Sequence, residues 1–255
     1  MQLIDTHTHL FLPEFDSDRD QAIANAIGND VEKVLLPNVD NSTTQILLNL
    51  VDKYPDFCFP MMGLHPTSVN KNYKEELKIV EHWLGQRDFC AIGEIGIDLY
   101  WDKTYKVEQE EAFRYQIELA KKYNLPIVIH ARESFDEIFK IMDDVIDDKL
   151  KGVFHAFTGN DIQAERIVEW GFKIGIGGIV TFKNSGLDKV VHNIDINHIV
   201  LETDSPYLAP VPKRGKRNES AYIVHIAKRI AEIKNISLEE VAKITTNNAK
   251  QLFKL

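Results

Sequence analysis

Short apolar runs of three to five residues alternate with longer amphipathic segments along the whole of this chain, and few folds accommodate that order. The centres of the runs are nearly continuous Val, Ile, Leu and Phe, which is typical of parallel strands covered on both faces. Eight strands are therefore predicted, at residues 3–5, 33–37, 58–62, 90–93, 126–129, 152–154, 172–176 and 199–201.

The segments between these runs carry apolar residues at helical spacing. A serine followed three residues later by Gln or Glu predicts a capped helix start at Ser42, Ser134 and Ser237. Nine helices are predicted, at residues 18–27, 42–53, 73–84, 107–122, 135–146, 163–170, 186–191, 220–234 and 238–253.

Strands that alternate with helices in this way predict an α/β fold, a TIM-type (β/α)8 barrel. Such a barrel needs about 250 residues, so the 255 residues would form a single domain, 1–255. The competing architecture is an open, doubly wound sheet, which usually has fewer strands. The G-x-G-x-x-G sequence that would favour a dinucleotide site in such a sheet is absent after the first strand.

The charge and the cysteine content limit which partners the protein could bind and in which cellular compartment it could work. Lys and Arg total 30 against 39 Asp and Glu, a formal net charge of -9, so nucleic-acid contact would need a local basic site or a bound cation. The two cysteines, Cys58 and Cys90, lack the CxxC spacing of a zinc–thiolate site. The polar N-terminus and the lack of a long apolar run predict a cytoplasmic protein with no membrane partner. We expect a monomer.

Six residues of metal-binding type follow directly on predicted strands. In a closed barrel the carboxyl ends of the strands converge on one mouth, where the active sites of this fold lie. The first strand is followed by His-x-His, whose side chains share one face, and the fourth is followed by a carboxylate between glycines. The six residues are His7, His9, Glu94, His130, His155 and Asp204.

Taken singly, each of these residues has an ordinary interpretation as a polar group at a strand end. Their joint placement favours a metal centre, because the other histidines outside the strand ends, at 82, 192, 198 and 225, show no such convergence. Four imidazoles and two carboxylates suit two divalent ions, with Glu94 between them. Mixed nitrogen and oxygen donors favour Zn²⁺ or Mn²⁺ over Ca²⁺, and Mg²⁺ stays open.

Six motifs, spread over almost the whole chain, resemble the TatD family of metal-dependent deoxyribonucleases. They are IDTHTH (4–9), GLHP (63–66), GEIGID (93–98), HAFTG (155–159), ETDSPY (202–207) and RGKRNE (214–219). The resemblance implies an amidohydrolase-type TIM barrel, a dinuclear metal centre and hydrolysis of nucleic-acid phosphodiesters. Ala156 stands where the family often has Cys or Ser, and Ser220 where Pro commonly follows Asn-Glu; neither is a predicted ligand.

The mechanism expected at such a centre gives further residues a role. Glu94 and Asp204 would be catalytic, since Glu94 sets the spacing of the ions and Asp204 can accept the proton of the attacking water. Residues near the same strand ends, and in the basic loop formed by residues 213–217 (KRGKR), would contact substrate phosphates. These are His65, Arg132, Arg214 and Arg217.

Two more carboxylates are predicted to lie one layer deeper in the barrel, beneath the predicted metal ligands. Residues two apart on a strand share a face, so Asp5 should share that of His7 and His9, and Glu202 that of Asp204. A buried carboxylate needs a partner. The expected partner is a ring N–H of a metal-binding histidine, which such a contact orients and makes more basic.

Two other functions stay open on the sequence. The same centre would serve hydrolysis at a carbonyl, as in an amidohydrolase, an esterase or a D-aminoacyl-tRNA deacylase, because fold and metal do not choose the electrophile. A non-catalytic, metal-dependent nucleic-acid-binding module is the third alternative, although no predicted ligand is missing. The basic loop favours phosphate, so the expected substrate is a nucleic acid, most simply DNA.

Overall fold

Eight parallel strands pair in chain order, from the first to the eighth, in a computed structural model that describes residues 1–255. The pairing of each strand with the next is parallel throughout, so every connection must cross over the outside of the sheet. The strands are β1 (Leu3–Asp5), β2 (Val31–Pro37), β3 (Cys58–Met62), β4 (Ala91–Asp98), β5 (Ile127–Arg132), β6 (Gly152–Phe154), β7 (Lys173–Ile176) and β8 (Ile199–Leu201).

Helices make these crossovers, and the last two follow β8. They are α1 (Arg19–Gly28), α2 (Asn41–Lys53), α3 (Tyr73–Leu84), α4 (Lys106–Tyr123), α5 (Phe135–Val145), α6 (Asp161–Glu169), α7 (Leu187–Asn193), α8 (Ile223–Lys234) and α9 (Leu238–Phe253). The predicted single-domain TIM-type barrel is confirmed. None of the helices combines the length and the apolarity that crossing a bilayer requires.

The barrel closes where the chain leaves β1 and β8, at a seam formed by residues 6–9 and 201–205. The N–H and the hydroxyl of Thr6 both donate to the carbonyl oxygen of Leu201, at 3.0 and 2.9 Å. Further along, the N–H of Asp204 donates to the carbonyl oxygen of His7 at 2.9 Å. The hydrogen bonds that close the barrel thus also fix the backbone of two predicted metal ligands.

A layer of apolar side chains fills the inside of the barrel. Seven strands contribute one residue each, and Ala249 and Phe253 of α9 pack against the same layer. A second core of 60 buried residues lies between the strands and the surrounding helices. The barrel interior is therefore solid, and polar chemistry is confined to the carboxyl ends of the strands. The seven interior residues are Ile4, Leu35, Met61, Ala91, Val128, Val153 and Val200.

β4 extends beyond its predicted end, and this extension places Glu94. The prediction ended the strand at Gly93 and placed Glu94 just beyond it, between two glycines. In the structure β4 is buried throughout and contains Glu94. Gly96 has φ +140°, and a Cβ atom there would lie 2.1 Å from the carbonyl oxygen of His130. The absence of a side chain at Gly96 therefore allows β4 to lie close against β5.

One of the three predicted serine caps is confirmed. Ser237 accepts a backbone N–H from the first turn of α9 at 3.1 Å. At α2 the cap is instead Asp40, whose carboxylate accepts the N–H of Ser42 at 2.9 Å; Asp caps a helix as well as Ser does. Before α5 the hydroxyl of Ser134 donates to the carbonyl oxygen of Ile97 at 2.5 Å, and so links that loop to β4.

We expect Gly96→Ala to lower the free energy of unfolding by on the order of 3 kcal/mol, because the added Cβ meets the backbone of β5. Gly28→Ala is the matched control, since a Cβ there meets no atom within 4 Å. That control should shift stability by no more than about 1 kcal/mol, in the stabilising direction. Urea denaturation measures both, and equal stability of the two variants would contradict this account of β4.

Candidate metal centre

The buried carboxylate of Glu94 lies at the centre of the barrel mouth, and each of its oxygens faces a different set of side chains. Oε2 lies 3.0 Å from Nε2 of His7 and 3.8 Å from Nε2 of His9. Oδ1 of Asp204 lies 3.5 Å from Nε2 of His9 and 3.9 Å from Nε2 of His7. His7, His9 and Asp204 all belong to the seam, so barrel closure brings this first set to Glu94.

The second set faces Oε1 of Glu94. This oxygen lies 2.7 Å from Nδ1 of His130, 2.9 Å from Nε2 of His155 and 3.2 Å from Nε2 of His65. His65 is predicted to contact substrate, and the structure places its ring inside the histidine cluster, with Nδ1 2.7 Å from the hydroxyl of Thr67. The imidazole of His65 is therefore also close enough to Glu94 to share a cation with it.

Asp98 belongs to the site, although it is not among the residues predicted from the sequence. Its Oδ2 lies 2.9 Å from Nε2 of His130, which leaves Nδ1 of that ring facing Glu94. Burial acts to raise the pKa of Asp98, but the hydrogen bond and charge of His130 hold the pKa below its ordinary value. Asp98 follows Glu94 by four positions on β4, so alternation would have put both on one face. The strand prediction that stopped at Gly93 concealed this signal.

Glu202 contacts a histidine ring, as the sequence analysis expects. Its Oε1 lies 3.3 Å from Nδ1 of His155 and accepts the N–H of Ala156 at 2.5 Å. The 3.3 Å separation is an ion-pair distance without the alignment of a hydrogen bond. Gly175 makes room for this carboxylate, since a Cβ there would lie 2.3 Å from Oε2 of Glu202. Glu202 thereby holds the Nδ1 side of His155 and leaves Nε2 to the centre.

Asp5 is buried but does not reach a histidine ring. Its carboxylate accepts the N–H and the hydroxyl of Thr203, at 2.9 and 2.6 Å. The side chain of Ile4 points into the barrel interior, so Asp5 points outwards, and the chain leaves the strand before His7. The prediction that Asp5 and His7 share one face of the strand is therefore wrong, because the alternation of side chains ends with β1. Burial raises the pKa of Asp5 to about 7, although its hydrogen bonds act in the opposite direction.

The histidines and carboxylates around Glu94 shift one another's pKa values. Burial acts to raise the pKa of Glu94, but the charges of His155, His65 and His7 outweigh burial and hold the pKa well below its ordinary value. Burial acts to lower the pKa of His155, but Glu94 and Glu202 raise it well above the ordinary value. The carboxylates thus attract positive charge to the imidazoles, and divalent cations compete for the same donor atoms with protons.

The donor set fits divalent cations. Both ring nitrogens of His7, together with Nδ1 of His9, are buried and have no hydrogen-bond partner. Such atoms are unfavourable to bury unless something else satisfies them. Three groups of residues place one ligand atom each within 4.8 Å of one another. The groups are His7 with His155 and Asp204, His7 with His9 and Glu94, and His65 with Glu94 and His130.

The cluster forms the floor of a cavity of about 760 Å³, which we call the mouth cavity. Its rim includes Trp101, Arg132 and Tyr207. Arg132 is the last residue of β5, and its exposed guanidinium lies 3.9 Å from the centre of the Tyr100 ring. The structure therefore places Arg132, a predicted substrate contact, at the entrance to the cluster. A cavity of this size holds a sizeable organic ligand in addition to ions.

The structure separates the two predicted arginines of the basic loop. Arg214 lines a shallow depression that shares Ile179 and Leu208 with the mouth cavity, and its guanidinium lies 3.9 Å from the Phe182 ring centre. A ligand that leaves the mouth cavity over Leu208 would reach Arg214. This arginine thus lies next to the mouth cavity without lining it.

Arg217 has other partners. Its guanidinium donates to the carboxylate of Asp18 at 2.6 and 2.8 Å and to the carbonyl oxygen of Glu14 at 2.7 Å. It also lies 4.3 Å from the centre of the Phe15 ring. The structure does not bring Arg217 to the mouth cavity, because it fastens the basic loop to the segment before α1.

An eight-stranded barrel with histidines and carboxylates gathered at its carboxyl end defines a metal-dependent hydrolase of the TIM-barrel class. The family model for TatD related DNases matches residues 4–254, and the chain belongs to that family.

Known relatives agree with this assignment. The chain is 38% identical to the uncharacterized metal-dependent hydrolase YabD of Bacillus subtilis, over 99% of each chain. It is 32% identical to YcfH of Escherichia coli, another uncharacterized metal-dependent hydrolase, over 99% of this chain and 96% of that one. The crystal structure of YjjV, a TatD homologue from Escherichia coli, superposes with a TM-score of 0.93 at 29% identity, covering 99% of this chain and 98% of that one.

We expect Glu202→Gln to weaken divalent-cation affinity by roughly 10–100-fold, because the ring of His155 loses the carboxylate that orients it. Glu232→Gln on the exposed face of α8 is the control and should bind cations like the parent protein. Competition with a coloured chelator measures the affinities, and circular dichroism checks the fold. Parental affinity in folded Glu202→Gln would show that the carboxylate does not support the centre.

Proposed function

We propose that this protein hydrolyses phosphodiester bonds of nucleic acids, most simply of DNA, with two divalent cations at its mouth cavity. One observation carries the proposal: an exposed guanidinium, that of Arg132, stands beside a donor cluster fit for cations in the same cavity. The chain as a whole has a net charge of -9, so the positive charge of Arg132 at the cavity is opposite in sign to the net charge of the protein. An anionic substrate accounts for it.

The two sets around Glu94 suggest how the cations would be held. His7, His9 and Asp204 would hold one, and His130 and His155 the other, with Glu94 shared between them. Zn²⁺, Mn²⁺ and Mg²⁺ are the candidates for this mixture of nitrogen and oxygen donors. Bound there, such cations would supply a nucleophilic water near neutral pH and offset charge that develops on the phosphoryl group.

Asp204 is the side chain best placed to take a proton from the attacking water. It is the more exposed of the two central carboxylates, with 15% of its side chain accessible against 3% for Glu94. As the water oxygen bonds to phosphorus and the ester bond breaks, a carboxylate oxygen of Asp204 accepts the proton. The departing alkoxide takes a proton from solvent water, and Asp204 then releases its proton to solvent. Arg132 would orient the phosphate by hydrogen bonds from its planar guanidinium.

A substrate panel tests the proposal. Purified protein loaded with Mn²⁺, Zn²⁺ or Mg²⁺ should release nucleotides from labelled single-stranded or duplex DNA or from RNA. The same preparations are offered an aminoacyl-tRNA and a simple ester. Cleavage of the acyl bond alone would replace the proposal with hydrolysis at a carbonyl. Binding of nucleic acid with no cleavage by any of the loaded forms would favour a binding module.

We expect Asp204→Asn to reduce kcat for a model phosphodiester by at least about a hundredfold, because it removes the proton acceptor and a charged donor. Asp188→Asn is the control and should turn over like the parent protein, because this partly exposed residue of α7 does not line the mouth cavity. Initial rates and circular dichroism are measured on both. Parental turnover in a folded, metal-loaded Asp204→Asn protein would remove Asp204 from the mechanism.

The two arginines of the basic loop should behave differently. Arg214→Ala should raise KM for an oligonucleotide and reduce the slope of log KM against log salt by about 1, the value for one lost phosphate contact. Arg217→Ala should keep that slope and instead lower stability by at most about 1 kcal/mol, because it breaks the ion pair with Asp18. The KM for an oligonucleotide, measured at several salt concentrations from low to moderate, gives the slope for each variant. The same slope in Arg214→Ala as in the parent would exclude it from the substrate path.

A further inference from the structure

Exposed large apolar side chains gather at the rim of the mouth cavity. Trp101, Tyr207 and Leu208 line it, and Tyr100 stands next to Trp101. Trp101 is the most exposed of these, at 70%, whereas Trp83 and Trp170 are half-buried. Single exposed apolar residues are common, but a group of them around a polar cavity indicates a surface that contacts a ligand.

The loop that carries Trp101 is fastened to the metal centre. Oδ1 of Asp98 accepts the N–H of Tyr100 at 3.0 Å and the N–H of Trp101 at 3.2 Å. The other oxygen of the same carboxylate binds His130. The two aromatic rings lie edge to face, with centres 4.9 Å apart. The position of the indole is thereby set relative to the cluster around Glu94.

The positively charged side chain of Arg132 lies beside these aromatic rings. The guanidinium of Arg132 lies 3.9 Å from the Tyr100 ring centre and 5.4 Å from that of Trp101. An aromatic face beside a planar cation matches the two parts of a nucleotide, because bases stack on aromatic rings and phosphates bind guanidinium groups. We propose that Trp101 stacks on an unpaired nucleobase of the substrate while Arg132 contacts an adjoining phosphate. This inference rests on the proposed nuclease function.

The proposal names the substrate class. In a duplex both faces of each base are covered by its neighbours, so an indole reaches a base face only in a single strand, at a terminus or after extrusion. Trp101 is then a positioning residue that selects unpaired nucleotides, and it takes no part in the chemical step. Stacking is tolerant of sequence, since every base has an aromatic face.

The first test separates binding from chemistry. Trp101→Ala should raise KM for a single-stranded DNA oligonucleotide on the order of tenfold, the effect of losing one stacked base, while kcat stays near the parental value. Trp101→Phe should restore most of the loss. For an oligonucleotide with abasic sites around the scissile bond, parent and Trp101→Ala should have similar KM values. Tyr115→Ala, on the outer surface of α4, is the aromatic control.

The outcomes of this test are decisive in both directions. If Trp101→Ala raises KM equally for the intact and the abasic oligonucleotide, the indole supports the loop and does not stack on a base, and the proposal is wrong. The proposal is also wrong if KM does not change. Preference for a blunt duplex over the single strand in the parent protein, unaltered in Trp101→Ala, would overturn the substrate class.

A second measurement detects binding directly. Titration of the parent protein with the same oligonucleotide, in the presence of a chelator and again with Mn²⁺, should quench tryptophan fluorescence in at least the second condition. Trp101→Phe, which keeps Trp83 and Trp170, should bind with similar affinity and lose the quenching. Equal quenching in both proteins would refute stacking. If the parent shows Trp101-dependent quenching but cleaves no phosphodiester, the nuclease proposal fails while the stacking site stands.

Discussion

The buried carboxylate of Glu94 is the group on which the rest of the site depends. An isolated carboxylate among apolar strands would be strongly unfavourable, and this one is stabilised because imidazoles approach both of its oxygens. Those imidazoles come from the ends of β1, β3, β5 and β6. Only a closed barrel brings these strand ends to one point, so folding of the sheet and assembly of the cluster are the same event.

Closure also explains why two loops far apart in sequence share the site. The carboxylate of Asp5 binds Thr203 and is also 3.4 Å from the N–H of His7, so it connects the segments that follow β1 and β8. The N–H of Asp204 is bonded to the carbonyl oxygen of His7. Asp204 adopts φ +56°, a conformation that Asp tolerates better than most residues. Asp5 thus contributes to the site through the backbone, without touching a donor ring.

The sequence predicted the barrel well, because apolar runs mark buried parallel strands whatever their surroundings. The structure brings the predicted donors together at the barrel mouth. Hydropathy located the ends of β4 and β5 poorly, since inward-facing polar residues such as Glu94 and His130 look like strand ends. The same error hid Asp98. The pairing of Arg217 with Asp18 could not be predicted, because it joins positions 199 apart in the chain. Such non-local contacts leave no pattern in a single sequence.

The architecture separates the candidate metal ligands from the proposed substrate-binding surface, and Asp98 contacts both. The candidate metal ligands lie in or directly beside strands held by the barrel, whereas Trp101, Tyr207 and Arg214 lie on loops that can vary without disturbing the strands. A single carboxylate, that of Asp98, orients His130 with one oxygen and supports the loop of Trp101 with the other. Asp98 therefore holds the Trp101 loop at a fixed position relative to His130, which sets the proposed base-stacking surface at a defined place beside the candidate metal ligands.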